Sequence, residues 1–160
     1  MRRPAKESDL EAVYAIYMDE SVIPYLGYDP MCIEDFTSIY RELVATNEFF
    51  LYEKDNELAG FYFVSRHPGR ANHVAYMGTL AVSPKFHGEG IADEMLTEAL
   101  EKLIESGVKR IEIIVEVDNL RAISFYKKLG FEVEGTLKKF YKRSHESHYI
   151  DDYIMALLFE

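Results

Sequence analysis

The strongest constraint on the fold is a change of hydrophobic period in the middle of the chain. "HVAYMGTLAVSP" is a long apolar stretch that ends at Pro84, the pattern of a strand. From Ile91 the apolar residues fall at 91, 95, 96, 99, 100, 103 and 104, a helical stripe that runs to Ser106-Gly107. "VKRIEIIVEV" follows, rich in β-branched residues and again a strand. Strand, amphipathic helix and strand in direct succession point to an α/β domain on a mixed sheet.

The flanks extend this pattern. "SDLEAVYAIYMDE" starts with Ser8 or Asp9 as helix cap and puts Leu10, Val13, Ile16 and Tyr17 on one face. "CIEDFTSIYRELV" does the same with Ile33, Phe36, Ile39, Tyr40, Leu43 and Val44. "EFFLYEKDNELAGFYFVSR" reads as a hairpin turning at "EKDNE". "NLRAISFYKKLG" is a short helix with Ala122, Phe125, Tyr126 and Leu129 on one face and Gly130 as its stop. "FEVEGTLKKFY" and "HYIDDYIMALLF" are two closing strands, and "MRRP" is a short first strand. With 160 residues and no linker, repeat or low-complexity tract, residues 1–160 are expected to form a single domain.

Composition excludes several classes of function. The net charge of −10 argues against nucleic acid, whose binders need a basic stripe. The nearest approach to one is the short cluster "LKKFYKR", Leu137 to Arg143. No window holds the ~18 uninterrupted apolar residues of a membrane helix, so no membrane partner is expected. "MRRPAKESD" lacks the apolar region of a secretory signal. Cys32 is the only cysteine, which excludes an intrachain disulfide and a thiolate metal cluster. A cytoplasmic location is the simplest expectation. The five histidines show no metal-ligand spacing; His145 and His148 read as turn and strand-edge residues.

Gly88 and Gly90, in "HGEGIADEML", stand at the mouth of the helix that starts at Ile91. The first N–H groups of a helix lack intrahelical partners and carry the positive end of its dipole. Two readings are open. The glycines serve a tight turn, or they let a phosphate approach the backbone. Glu89, Asp93 and Glu94 suit an anion site only if their side chains point outward, with Lys85, Arg121, Lys127 and Lys128 to offset them. A dinucleotide fingerprint would need a third glycine where Asp93 stands, and a Walker loop would need Gly-Lys-Ser/Thr.

Together, "LAVSPKFHGEGIA" and "EVDNLRAISFYKKLGFEVEG" resemble the GCN5-related N-acetyltransferase superfamily. The second half is similar to one bacterial branch, the YhhY-type amino-acid N-acetyltransferases, through "VDN", "AI", "YKK", "GFE", "EGT", "KK" and the ending "Y-D-Y-MA". The family's phosphate loop is Gln/Arg-x-x-Gly-x-Gly/Ala; here His87, Gly90 and Ala92 take those places, with an extra glycine at Gly88. His87 departs from the pattern and leaves the backbone donors intact.

The resemblance implies a splayed central sheet of six or seven strands with about four helices. It implies acetyl-CoA as co-substrate. Backbone groups of Leu80, Ala81 and Val82 would hold its pantetheine arm, and the loop of His87, Gly88, Glu89, Gly90, Ile91 and Ala92 its diphosphate. Asn119 either caps the following helix or contacts the arm together with Ala122. Tyr126 is implied as the acid near the thioester sulfur, or else it is a packed aromatic.

The base is less clearly marked. A lysine-type amine (pKa ~10.4) is neutral in about one molecule in two thousand at pH 7, an α-amine (pKa ~8) in about one in ten. Many relatives keep an acid on the strand before the loop, where this chain has Tyr76, or on the next strand, where it has Ile114. The nearest acid is Glu116, two residues on and on the same face; it is the base or an exposed strand acid. Asp151 and Asp152 border an amine pocket or end a solvated strand.

The expected activity is transfer of acetyl to the amine of a small molecule by direct attack in a ternary complex, with the α-amine of a free amino acid as acceptor. Polyamines, protein N-termini and a non-catalytic acyl-CoA-binding domain are the alternatives. Aromatic residues Tyr14, Tyr17, Tyr25, Tyr28, Phe36 and Phe49 line an acceptor pocket or fill the core. A homodimer is compatible with the family.

Overall fold

Asp55 and Asn56 both have positive φ, 52° and 62°, the conformation of a two-residue hairpin turn whose twist matches its strands. They join β2 (Phe49–Lys54) to β3 (Glu57–Arg66), paired antiparallel from Phe49↔Phe63 to Lys54↔Glu57. The turn is narrower than "EKDNE" suggests, because Lys54 and Glu57 still pair. The computed structural model describes residues 1–160, and their contacts divide the chain into two compact units.

The first unit comprises Met1–Ser65 and Thr79–Leu103. It contains β1 (Arg2–Pro4), α1 (Leu10–Tyr17), α2 (Ile33–Ala45), β2, nearly all of β3, the end of β4 (Val74–Val82) and most of α3 (Ile91–Glu105). The predicted cap of α1 is in place but its side chain bonds elsewhere. Asp9 is the cap residue, yet its carboxylate does not bond to α1. It accepts two bonds from the Arg3 guanidinium, both 2.8 Å, and one from the Lys6 N–H. A bidentate pair with an arginine outcompetes a single neutral cap bond.

The core of this unit is aromatic. Tyr17 lies against Phe36 (ring centroids 4.9 Å apart) and stacks on Phe61 (5.9 Å), which meets Phe49 (5.4 Å). Phe36 also touches Tyr14 and Tyr40. The helical stripes of α1 and α2 thus bury their faces against β2 and β3, as their period requires. The buried Tyr40 hydroxyl donates to the Lys6 carbonyl, so its polar end is satisfied. Tyr17, Phe36 and Phe49 are therefore core residues and not pocket lining, while Tyr25 and Tyr28 are 43% and 45% exposed.

The second unit comprises Arg66–Gly78 and Ile104–Glu160. It contains the first part of β4, β5 (Arg110–Glu116), α4 (Leu120–Lys128), β6 (Glu132–Tyr141) and β7 (Ile150–Leu158). β4 pairs parallel with β5 over Val74↔Arg110, Ala75↔Ile111 and Tyr76↔Glu112. β5 pairs antiparallel with β7 from Arg110↔Leu158 to Glu116↔Asp152, and β7 with β6. Ile111, Ile113 and Val115 are buried along one face of β5.

The hydrogen-bonded order is β1-β2-β3-β4-β5-β7-β6. This is the mixed sheet expected of the chain, with seven strands and four α-helices. No helix is long and apolar enough to cross a membrane.

Phe36 has no exposed surface and contacts three rings. Phe36→Ala is expected to destabilise the protein by about 3–5 kcal/mol, the scale for truncating a buried phenylalanine. Urea unfolding checks this; a loss below about 1 kcal/mol would show that the rings do not form a close-packed core.

Candidate active site

The loop before α3 is shaped by its glycines. β4 stops at Val82, a short helical turn covers Pro84–Phe86, and Phe86 is buried as its anchor. Gly88 and Gly90 then take φ of 81° and 76°, the left-handed region that costs other residues strain. A Cβ at either would meet no atom within 4 Å. Conformation, not crowding, selects glycine here, and open space lies over the start of a 15-residue helix. Residues Gly88 to Gly90 are exposed, while Ile91 is buried and fixes the first turn of α3.

The acids of this loop are partly disposed of. The Glu94 carboxylate accepts from the Tyr52 hydroxyl (3.0 Å) and from Lys54 (3.4 Å), which holds its pKa below the usual carboxylate range. Asp93 and Glu89 are exposed. Lys85, expected to offset them, instead pairs with Glu57. Just upstream, Thr79 adopts φ 48° inside β4, a left-handed position unusual for a β-branched residue. Leu80, Ala81 and Val82 follow it as the last strand residues before the loop.

The second unit holds a different kind of chemistry. Glu116 is the last residue of β5 and only 7% exposed. It lies directly opposite Asp152 of β7, which is 3% exposed. On the next rung the Val117 N–H donates to the Asp151 carbonyl (3.0 Å). The Glu116–Asp152 rung is therefore the non-hydrogen-bonded kind, where side chains stand closest, with Cβ atoms about 4.5–5.5 Å apart.

Burial is the main cause that pushes Glu116 up to about 7, and the charge of Asp152 adds to it. Burial likewise lifts Asp152 to about 6, helped by Asp118 and Asp151 and opposed by Arg143. The exposed-acid reading of Glu116 is corrected: the strand ends under cover.

Two tyrosines face this pair. Tyr126 of α4 is buried, and burial together with Glu116 and Tyr76 pushes its phenol above the usual tyrosine range. Tyr76 is raised for the same reason, with Asp152 and Glu116 as its charged neighbours. A tight turn makes the Tyr126 approach possible. The Asn119 N–H donates to the Glu116 carbonyl (3.0 Å), and α4 starts at once. The Asn119 side chain accepts from the Ala122 N–H (3.3 Å). This bond caps α4, as one of its two readings expects. Two helical turns later Tyr126 lies back beside the strand end, its ring against Phe125 and Phe131.

Arg143 ends the short basic cluster Leu137 to Arg143. It is 6% exposed and holds Asp118 through two bonds (2.8 and 3.1 Å) and Glu146 through one (3.1 Å). A buried guanidinium needs such partners. His145 and His148 each stand 3.7 Å from Glu146. Asp151 accepts from the Lys139 N–H at the irregular stretch of β6. Cys32 precedes α2 without a side-chain bond to it and is exposed.

Residues 10–131 match the pattern of the acetyltransferase (GNAT) family. The chain is similar to the L-amino acid N-acetyltransferase AaaT of Escherichia coli, 43% identical over 88 residues, 54% of this chain and 52% of that protein. It is similar to the spermidine N(1)-acetyltransferase of Escherichia coli, 28% identical over 145 residues, 84% of this chain and 74% of that protein. The fold matches the ribosomal-protein-alanine N-acetyltransferase structure from Brucella melitensis, with a TM-score of 0.80, 22% identity and 99% of both chains covered. The chain spans about half the length, or less, of the first curated relatives it matches.

Tyr76 depends on a gap in its own strand. A Cβ on Gly78 would stand 2.6 Å from the Tyr76 hydroxyl and 2.8 Å from its ring. Gly78→Ala is expected to evict the ring and destabilise by about 1–3 kcal/mol, as overpacking does. In a Tyr76→Ala background the same change should cost almost nothing. A double-mutant cycle by urea unfolding checks this; equal costs in both backgrounds would show that Gly78 serves the backbone alone.

Proposed function

We propose an activity, an acceptor and a proton path on one premise: the chain belongs to the acetyltransferase (GNAT) family. The activity is acetyl-CoA-dependent N-acetylation of a small amine by direct attack in a ternary complex. The acceptor is the α-amine of a free amino acid, a reading supported by the likeness to the L-amino acid enzyme. The carrying observation is Glu116, a buried carboxyl held near 7 at the end of β5.

A base with that affinity is matched to neutral pH. General-base efficiency is greatest when the base is ionised at working pH yet still takes up a proton well. An ordinary exposed carboxylate, near ~4.3, is a far weaker acceptor.

The residues fit a nucleotide thioester. Gly88 to Ala92 combine positive φ, open space and a helix start, which suits a diphosphate. His87 and Glu89 flank that loop, and Leu80, Ala81 and Val82 offer main-chain groups for the arm. Acetyl-CoA supplies an activated acyl group and a thiol leaving group. Glu116 takes a proton from the acceptor. Tyr126 stays protonated, because its phenol is raised, and so serves as a hydrogen-bond donor toward developing negative charge. Asn119 holds the start of α4 and thereby the place of Ala122 and Tyr126.

One observation favours a second reading, a polyamine acceptor. The chain carries a net charge of −10 and matches the spermidine enzyme over most of its length. A thiol-release assay with acetyl-CoA over L-phenylalanine, L-methionine, spermidine and an N-terminal peptide separates the readings. L-Amino acids are expected to give the highest kcat/KM. A tenfold preference for spermidine would reverse the assignment, and no release with any acceptor would favour an acyl-CoA-binding role. In the same assay Tyr126→Phe should lower kcat by roughly 10²-fold with little change in the KM for acetyl-CoA. A kcat within about twofold would make Tyr126 a core residue only.

Acetyl-CoA is expected to raise the Tm of the protein, since it binds only the folded state. Gly90→Val should remove that shift; its Cβ meets no atom of the protein, so the melt should stay cooperative, at a lower Tm because valine is strained at positive φ. A shift of unchanged size would mean the glycines serve the turn alone.

A further inference from the structure

We propose that Glu116 and Asp152 act as one unit, a buried carboxyl pair that receives the acceptor as its ammonium and takes a proton from it. This rests on the proposed activity and adds to it the residue that binds the amine.

The pairing is a matter of register. Glu116 and Asp152 are opposite residues on a non-hydrogen-bonded rung, so their side chains leave the sheet on the same face at its closest spacing. Both are buried. Two carboxylates so placed do not both ionise freely; they titrate as a pair and hold one proton between them. The groups that act on them are Arg143, Asp118 and Asp151, with Tyr76 and Tyr126. Arg143 is the cation of this set, and it is engaged by Asp118 and Glu146. The surroundings thus add more negative charge than positive.

A second observation points to a missing donor. Asp152 Oδ1 is fully buried and has no hydrogen-bond partner. An unmade bond at a buried carboxylate oxygen is costly. An ammonium has three N–H donors and one positive charge. It supplies the lost bond and the missing cation together.

The charges then balance at each stage. The free pair holds one proton and carries one negative charge. The ammonium displaces that proton to solvent, leaving two negative charges and one positive. One N–H bond of the ammonium breaks, an O–H bond forms on Glu116, and the electron pair stays on nitrogen as the nucleophile. The pair again carries one negative charge, now facing a neutral amine. The site keeps a net charge of −1 throughout, so no step adds a further uncompensated charge to the buried space.

Two arms test the pair. The first is melting against pH, which needs no activity. A carboxyl raised on folding favours the folded state at pH values below its unfolded pKa. That contribution is lost as pH rises through the folded value, here about 6 and about 7. The wild-type Tm should therefore fall between pH 5 and pH 8 more than that of D152N or E116Q, by about 3 °C or more. The second arm is the pH dependence of kcat/KM with L-phenylalanine. In D152N the acid limb should move down by about one pH unit, since a like charge beside Glu116 is gone. The KM for the amine should rise about tenfold or more, and E116Q should lose about a hundredfold or more in kcat.

Melting curves of both variants parallel to wild type would overturn the pair. So would an unmoved acid limb in a folded D152N enzyme. If the wild-type protein acetylates no amine, the proposed activity fails, and the melting arm alone decides whether the pair exists.

Discussion

The antiparallel register between β5 and β7 is the constraint on which the acidic site depends. It runs from Arg110↔Leu158 to Glu116↔Asp152 without interruption. A slip of one residue would turn every side chain of β7 to the other face. Asp152 would then leave Glu116, and Met155, fully buried, would turn outward. The apolar residues of the two strands enforce this register, since each has one buried face. The acidic pair is therefore held in place by the burial of its apolar neighbours, and the cost of bringing two carboxyls together is borne by the sheet.

Around that pair the second unit arranges its other polar groups in layers. Arg143 is buried and takes Asp118 and Glu146, which removes two acids from competition. Asn119 closes the turn after β5 and starts α4, which returns Tyr126 to the strand end. The phenol and both carboxyls shift upward for one common reason, burial. A single dry environment thus yields a carboxyl that titrates near neutral pH and a tyrosine that keeps its proton.

Some expectations from sequence needed the folded structure to correct them, each for a local physical reason. Asp9 is at the start of α1 but serves Arg3 and Lys6, because a charged partner binds it more strongly than a helix N–H. Lys85 goes to Glu57 across the neighbouring strand and not to the loop acids. Of the N-terminal aromatics left open between pocket lining and core, Tyr17, Phe36 and Phe49 fill the core of their unit, since amphipathic elements spend such residues on burial first. The element order, by contrast, was legible throughout, as were the mixed sheet and the family.

The sequence by itself determined where strands and helices lie, because hydrophobic period and glycine and proline placement are local properties. It marked Gly88 and Gly90 for the same reason: a left-handed residue before a helix is written in one short stretch. The family resemblance, carried by short motifs, also brought Glu116 and Tyr126 into one hypothesis. What tertiary structure alone decided is the company of Glu116. Asp152 is distant in the chain, and its approach depends on the pairing of β5 with β7. Burial, proton affinity and the unpartnered Asp152 oxygen are properties of that meeting. None is carried by either strand alone, since each arises only when two acidic side chains share one dry space.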